Sequence, residues 1–600
     1  MNYVADLKST DTVLSRSVRL PLSAVLLGIL LFSAGCTEPA EQAESNSNEV
    51  PVGTTESSQC SDALATAVAR ALPENFMPHT APRQIVNGLN SWLSRCGQQE
   101  LESVKLSEAT QQLLSPSALR YVTAARFTVA DAVYIRDALL LNALTQSVWE
   151  RADAASDRKV ATDQERVSLL FAEVIRTISL MNDDEVRVPI GLYEVLLTGR
   201  GTANDRAWAM GEALRQRKID GILLLTEAAP VADNSNPLDS AAGLVAVVLE
   251  EGVLLCDPQG GTLVDIAPDQ AMNQLNQHDR WKDCSVRIIA QPGAFSPRTW
   301  ILEQNLLADY AAVLFEELAG GTTSVRPLTE RISAVTASPN GTRSLQVWDY
   351  PEQQVDMSSS LTEEQRRDYT MLLRPFDAPF ERDPLKHTSL PLPPGVDPES
   401  LSDEEKLALK LETLRLRTES LAESADEMFG RESRRLLTTR VQQLTGASAE
   451  QLIPSFQQVA IGSRQESISI EILNEFSQQE TRTFPLPELI RQVHQSAVGN
   501  ALYWTAMSQL AQGNDGIAIA AFRSYRRQFP AGVWTYPSLM HESIALHNQR
   551  QIDAAIAALK EADVAENPER VRVQRMLAEL AAGNTDGASG ETPPAETPPA

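Results

Sequence analysis

Two short apolar runs constrain the fold most, because they are rich in β-forming residues while the rest of the chain follows a largely helical pattern. These runs, residues 244–249 and 253–256, flank Glu250-Glu251-Gly252, which predicts a hairpin with a three-residue turn. Residues 222–225 and 286–290 read as two further strands. A small sheet among helices predicts an α+β fold that is predominantly α-helical.

The length of 600 residues exceeds what one hydrophobic core usually organises, so we expect several folded units. The sheet belongs to a unit over residues 150–295, with a helical region before it at 60–149 and a mixed helical region after it at 296–374. Within this unit, Thr162 and Glu165 have the spacing of a capping box. The helix that they open has an apolar stripe formed by Val167, Leu170, Val174, Ile178 and Met181.

Prolines divide the second half of the chain. They cluster at residues 375–400, which predicts a linker because proline cannot continue a helix. A helical region follows at 401–495, and Ser402 and Glu405 form the capping box that opens its first helix. The last residues, 583–600, have low complexity, which predicts a disordered tail.

A repeated pattern occupies residues 496–582. Trp504 and Ala506 on one helix are followed by Ala518 and Phe522 on the next, and then by Phe529-Pro530. A weaker copy follows at an offset of about 34 residues. The pattern resembles tetratricopeptide-type helix pairs, which implies a stack of helical hairpins. Two ordinary helical hairpins are the alternative.

The first 36 residues have the features of a leader. Basic residues precede an apolar run that is short for a membrane span, and this run ends at Cys36. The residues before Cys36 resemble a bacterial lipobox, which implies lipidation of Cys36, with an ordinary secretory signal as the alternative. Glu38 does not resemble an inner-membrane retention signal, so we expect an outer-membrane lipoprotein facing the periplasm. Residues 37–59 are polar and predict a flexible tether.

Four further cysteines bear on the compartment. An even number of cysteines in an oxidising compartment permits two disulfides among Cys60, Cys96, Cys256 and Cys284. Local pairing would join Cys60 to Cys96 and Cys256 to Cys284. Free buried thiols are the alternative, since connectivity cannot be read from the sequence.

The charge and the scattered histidines exclude several classes of partner. A formal net charge of −27 argues against nucleic acid, which is bound through clustered Lys and Arg. His541 and His547 are six residues apart and lie on different faces of a helix, so no metal site is predicted. Phosphate-binding glycine loops and nucleophile-elbow motifs do not occur in the sequence. We therefore expect neither a metal nor a cofactor.

Residues 201–221 carry the most informative pattern. Asn204 is positioned to cap a helix that Lys218 ends, and the helix leads into the strand at 222–225. One face of this helix carries small and apolar residues, namely Ala203, Ala207, Met210 and Leu214. A face with such small residues predicts close packing against another element.

This loop–helix–strand segment resembles the nucleophile helix of the transglutaminase-like superfamily, whose layout is related to that of papain-type cysteine enzymes. The matching positions are Gly201, Asp205, Ala207, Leu214, Arg215 and Ile219. The hairpin before Asp257-Pro258 resembles the strand pair that carries the family's histidine and aspartate. The resemblance covers residues 165–290 and implies a papain-like α+β core with a cleft.

The residues for the family's chemistry are missing. Ala203 stands at the position of the cysteine, and a methyl group neither ionises nor attacks a substrate. Ala-Gly-Leu at residues 242–244 stands where the histidine is expected, and the nearest histidine, His278, lies beyond Asp257. Asp257 matches the family, although an aspartate before proline is equally a turn residue. The resemblance thus implies a degenerate site without catalytic residues.

Three functions are compatible with this sequence. The first is a non-catalytic lipoprotein, held at the membrane by its lipid anchor, whose cleft and helices bind or scaffold an envelope protein or peptide. The second is a cysteine-type hydrolase or acyltransferase acting on envelope peptides, and the third is a structural periplasmic spacer. A groove lined by Trp208, Tyr503 or Trp504 would favour binding, whereas burial of these aromatic residues would reflect core packing. The sequence does not define an oligomeric state.

Overall fold

A computed structural model describes residues 53–76, 81–181, 190–227, 237–316, 327–358, 361–377, 396–420, 435–462, 467–473, 479–485 and 488–588, with residue 392 and without residues 157, 159 and 307. The leader, including Cys36, lies outside the described residues. The described part of the chain is predominantly helical with one six-stranded sheet, so the predicted α+β class is confirmed. None of its helices is both long enough and apolar enough to cross a membrane.

Among the described residues, seven helices precede the first strand: α1 (Gly53–Ala69), α2 (Ala81–Trp92), α3 (Gln98–Ser103), α4 (Glu108–Leu113), α5 (Pro116–Val122), α6 (Val129–Ala155) and α7 (Asp163–Thr177). A π-helical turn, Leu93–Gly97, joins α2 to α3. The predicted capping box opens α7, since the Glu165 amide donates to Thr162 Oγ1 and Glu165 Oε2 accepts from the Thr162 amide. The helix ends at Thr177, so Ile178 and Met181 follow it rather than extend its stripe.

The central unit contains β1 (Ser179–Leu180), α8 (Leu192–Thr198), β2 (Arg200–Gly201), α9 (Ala203–Arg215), β3 (Asp220–Leu225), α10 (Pro237–Ser240), β4 (Gly243–Leu249), β5 (Gly252–Asp257), β6 (Thr262–Leu263), α11 (Pro268–Gln277) and β7 (Ser285–Ile288). After two 3₁₀ turns and α12 (Pro297–Asn305) come α13 (Leu328–Arg331), α14 (Ser333–Thr336), β8 (Ala337–Ser338), β9 (Gly341–Thr342), β10 (Leu345–Val347), α15 (Tyr350–Ser358) and α16 (Glu363–Asp377).

The sheet has the strand order β10-β7-β3-β4-β5-β6, and every neighbouring pair except β10 and β7 is antiparallel. The predicted hairpin is β4 and β5, but its turn has two residues, because Leu249 pairs with Gly252. A Cβ atom on residue 252 would lie 2.3 Å from the carbonyl oxygen of Pro268, so only glycine fits there. The φ of Gly252, 138°, also favours glycine. Gly252 is therefore the first residue of β5 and not part of the turn.

Both faces of the sheet are buried, and side chains alternate between them along each strand. Ile222 and Leu224 face a core shared with α1, α2, α6 and α11. Leu223 and Cys256 face a second core with α9, which continues into the C-terminal helices. A methyl group on Gly211 of α9 would lie 2.5 Å from Ile289, so this helix packs closely against its neighbours, as its small residues predict.

The C-terminal half contains α17 (Asp403–Ser420), α18 (Arg435–Leu444), α19 (Ala449–Gly462), a separate hairpin of β11 (Ser467–Leu473) and β12 (Gln479–Pro485), and then α20 (Glu488–Ala511), α21 (Asp515–Gln528), α22 (Thr535–Asn548), α23 (Ile552–Ala562) and α24 (Arg570–Ala588). The capping box predicted at Ser402 opens α17. Consecutive helices from α20 to α24 pack on one another. These five helices form the C-terminal helical array.

Three predicted boundaries differ from the structure. Helix α1 begins at Gly53, inside the predicted tether of 37–59, and α24 continues to Ala588, inside the predicted tail of 583–600. Pro375 lies within α16 rather than at the start of the linker. Most of the linker, including residues 378–391, lies outside the described residues. In each case the helix continues past a change in composition, which is a weak boundary signal.

Candidate functional site

The first turn of α9 carries Ala203, the position at which the resemblance predicts a cysteine. The helix is capped by Thr202, whose Oγ1 accepts from the Asp205 amide, while Asp205 Oδ2 accepts from the Thr202 amide at 2.7 Å. The prediction that Asn204 caps this helix is wrong, because Asn204 lies inside the first helical turn with its side chain exposed. The pair Thr202 and Asp205 has the capping-box spacing, so the sequence contained this signal. Ala203, the first helical residue, is partly buried.

An aromatic cluster holds the same turn from the side. The Tyr350 hydroxyl donates to Asp205 Oδ1 at 2.8 Å. Tyr350 stacks on Trp348, with ring centroids 4.8 Å apart, and meets the edge of Trp208 at 6.1 Å. Trp208 is 1% exposed and belongs to the core, so it lines no groove. The cluster therefore fixes the orientation of the capping carboxylate.

Asp257, the second residue on which the predicted resemblance rests, ends β5 and is 1% exposed. Its Oδ1 accepts from the backbone amides of Gln259 and Gly260, as an aspartate does in a turn. Its Oδ2 lies 2.9 Å from Arg575 Nη1 of α24. Asp257 thus holds a turn and an ion pair, and none of these three partners is a histidine.

The described thiols lack the environment of a nucleophile. Cys60 and Cys96 form a disulfide between α1 and the π-helical turn. Cys256 and Cys284 are free and buried, so the predicted pairing between them does not form. Burial raises the pKa of both thiols, and the neighbouring Asp257 raises that of Cys256 further. Neither thiol is therefore disposed to form a thiolate.

His278 is the histidine nearest to the motif in sequence, and its contacts are with other residues. His278 follows α11, and its Nε2 lies 3.2 Å from Asp239 Oδ1. Its Nδ1 accepts from the Arg280 amide at 3.3 Å. Both ring nitrogens thus have local partners. His541, of the C-terminal helical array, is buried, and burial lowers its pKa well below the usual value.

A buried guanidinium joins the start of α9 to the turn that follows Asp257. Arg206, one turn after Ala203, is 0% exposed and donates from Nη1 to the carbonyl oxygen of Pro258 at 3.0 Å. Its Nε donates to the Ile178 carbonyl at 2.7 Å, and its Nη2 pairs with Glu569. Burial lowers the pKa of Arg206, and the Glu569 carboxylate opposes this effect. The start of α9 therefore adjoins the turn after β5, and the C-terminal helical array closes over both.

The core-facing side of the array is filled by the chain itself. Trp504 lies against Gly199, where an added side chain would be 2.5 Å from the indole ring. The Arg440 guanidinium lies 3.5 Å from the Trp504 ring centroid. Tyr503 is 0% exposed and stacks on Trp534 with centroids 4.2 Å apart. These aromatic residues are core residues, so the groove considered from the sequence is not formed by them.

Sequence reasoning missed Arg206, Glu569 and Arg575. Charged side chains on helices are usually solvated, and no local spacing distinguishes these three. Within the described part of the chain, three or more acidic, histidine or cysteine side chains nowhere gather in a way that could hold a metal ion. In comparisons with known proteins, no family model matches the sequence, and neither a curated protein nor a solved structure matches it.

Proposed function

We propose that the chain is a non-catalytic lipoprotein of the bacterial envelope, anchored through Cys36 in the outer membrane and facing the periplasm, that binds or scaffolds an envelope protein or peptide. Its central unit would be a degenerate transglutaminase-like core. Its C-terminal helical array would be a tetratricopeptide-like module. The proposal involves neither a cofactor nor nucleic acid.

One observation carries the non-catalytic part of the proposal. The Asp257 carboxylate, which would orient a histidine in an active family member, is instead satisfied by Arg575 and two backbone amides. Ala203 supplies a methyl group at the thiol position. A cysteine–histidine mechanism needs both groups within hydrogen-bonding reach, and neither side chain is present at its position.

Two further observations support an exported scaffold. The disulfide between Cys60 and Cys96 suits an oxidising compartment. The helices from α20 to α24 alternate along the chain with short connections, as helical repeats do. Because the chain fills the core-facing side of the array, a partner would bind its outer surface. Exposed apolar residues there include Ile517 and Val533, which are 58% and 52% exposed.

A purely structural spacer is the second candidate, because the same filled face gives the array an internal packing role. Site-specific photo-crosslinking in living cells separates the two. A photoreactive amino acid at Ile517 or Val533 should capture one defined envelope protein, while the same group at exposed Asp553 should not. Equal, unspecific labelling at all three positions would favour the spacer.

Catalysis is tested on the mature protein with a panel of peptide and acyl-ester substrates. We expect no turnover above the buffer rate. Turnover that disappears in Cys256→Ser or Cys284→Ser would overturn the non-catalytic proposal and restore the hydrolase alternative. Turnover that persists in both variants would overturn it as well, through residues outside the described thiols.

A further inference from the structure

The residue before α24, Glu569, makes polar contacts with the central unit. Glu569 Oε1 accepts from the Leu180 amide at 2.9 Å and pairs with Arg206 Nη2. Glu569 is 2% exposed, and Arg206 is 0% exposed. A buried carboxylate therefore crosses from the C-terminal helical array into the central unit.

The receiving side is organised by the central unit alone. Two backbone carbonyls, those of Ile178 and Pro258, hold Arg206 Nε and Nη1. Only Nη2 is directed at Glu569, next to the Leu180 amide. A guanidinium and a backbone amide that are fixed in this way form a preorganised carboxylate receptor.

A second pair of opposite polarity lies beside the first. Here the central unit supplies the carboxylate of Asp257, and α24 supplies the guanidinium of Arg575. Arg575 also donates to the Thr262 hydroxyl. A side chain on Gly260 would lie 2.0 Å from Arg575 Nη1, so α24 runs directly against this turn. We expect this second pair to keep α24 in register when the first pair is altered.

The second carboxylate oxygen of Glu569 has a distant cation beside it in place of a hydrogen-bond donor. Glu569 Oε2 is buried without a hydrogen bond among the described residues, and Arg572 Nη1 lies 4.0 Å from it. Arg572 is 11% exposed and adds positive potential on this side. The surroundings therefore favour an anion over a neutral group of the same shape.

We propose that Arg206 and the Leu180 amide form a carboxylate-binding site that Glu569 fills from within the same chain, and that this site takes an external small carboxylate when the Glu569 side chain is removed. The occupied site holds the start of α24 against the turn after β5. The proposal rests on these contacts and not on the proposed function.

The test uses the full mature chain with Glu569→Ala, which leaves space for formate or acetate. Hydrogen exchange of the amides in residues 569–577 and of Leu180 should accelerate by about tenfold or more, because a buried charged hydrogen bond is lost. Formate or acetate should restore most of the protection, whereas sodium chloride at equal ionic strength should not. Unchanged exchange in the variant, or equal effects of formate and chloride, would overturn the proposal.

Two further variants keep the test decisive. Glu542→Ala removes another buried carboxylate of the array, which pairs with Arg523 and Arg526, and formate should not restore protection near Leu180 in it. If Glu569→Ala does not fold, Glu569→Gln retains the shape and an acceptor oxygen without the charge. Hydrogen exchange in Glu569→Gln should be faster than in the wild type, and formate should not change its rate. Exchange equal to that of the wild type would show that a carboxylate is not required.

Discussion

The Arg440 guanidinium lies over Trp504, 3.5 Å from the ring centroid, and also binds the end of α8. Its Nε and Nη2 donate to the carbonyl oxygens of Leu197 and Leu196. These carbonyls belong to the last turn of α8, which has no further helical amide to bind them. One side chain thus joins α18, α8 and the C-terminal helical array.

Replacing Arg440 with alanine should lower the free energy of unfolding by about 3 kcal/mol, because the cation–π contact and the charged hydrogen bonds are lost together. Arg440→Lys should recover only part of this loss, since an ammonium group cannot reach both carbonyls and stack on the ring. Urea denaturation measures the effect. The exposed Arg527→Ala is the control, and an equal loss in both variants would contradict the assignment.

The disulfide between Cys60 and Cys96 closes a loop over a sequence separation of 36. The Cys60→Ser, Cys96→Ser double variant should lose about 4 kcal/mol of stability on the loop-entropy estimate. Denaturation with and without reductant provides the check. Reductant should bring the wild type to the level of the variant and leave the variant unchanged. Equal stability of the two proteins under oxidising conditions would show that the bond does not contribute.

Asp137 should make stability depend on pH. Burial raises its pKa from 3.8 to about 6, although the adjacent Arg136 favours the charged form. A raised pKa means that the folded state holds the proton more tightly than the unfolded state does. The contribution of Asp137 to the free energy of unfolding is therefore complete below pH 3.8 and is lost as the pH rises through about 6. This change corresponds to about 3 kcal/mol.

Asp137→Asn cannot titrate, so the stability difference between wild type and variant isolates this group. In chemical denaturation at several pH values, the wild type should lose stability relative to Asp137→Asn as the pH rises from about 4 to about 7. A difference that is constant, or that moves the other way, would exclude the raised pKa.

Two glycine substitutions should have opposite effects. Gly211→Ala places a methyl group 2.5 Å from Ile289 in the packed face of α9, so we expect a loss of about 2 kcal/mol. Gly516→Ala, on the exposed side of α21, meets only the flexible Gln549 side chain at 3.3 Å. It should gain about 0.5–1 kcal/mol from helix propensity. Thermal unfolding compares them, and a neutral Gly211→Ala would contradict the close packing.

Ala203→Cys places a thiol where the resemblance predicts one, without the accompanying histidine. At the first position of α9 the thiol should have a pKa below that of an ordinary cysteine, because the helix N-terminus favours the thiolate. The pH dependence of iodoacetamide alkylation measures it, with the parent protein and its buried Cys256 and Cys284 as the control. We expect no peptide hydrolysis. Turnover by this variant would mean that a base stands close to residue 203.

Local patterns predicted much of the fold. The hairpin of β4 and β5, the helix α9 and the capping box at Thr162 all depend on residues close in sequence, whose periodicity and side-chain chemistry determine them directly. The choice of Asn204 over Thr202 as the cap failed although both residue types cap helices. The acidic residue three positions after Thr202 decides between them.

The contacts around the candidate site were not predictable in the same way. Arg206 and Glu569 are 363 residues apart, and each one alone has the sequence context of a solvated charged residue. Their burial arises only when the C-terminal helical array meets the central unit. For the same reason the aromatic residues Trp504 and Tyr503 could be read either as groove or as core until their neighbours were known.

The bond from the Leu180 amide to Glu569 spans 389 residues and therefore orders events during synthesis. At the usual elongation rates, roughly 20–80 s pass between the appearance of one partner and that of the other. During this interval the Arg206 guanidinium has water in place of its carboxylate, and the hairpin lacks one of its neighbours. The contact between α24 and the central unit can therefore form only after both partners have been synthesised, whatever order the rest of the chain follows.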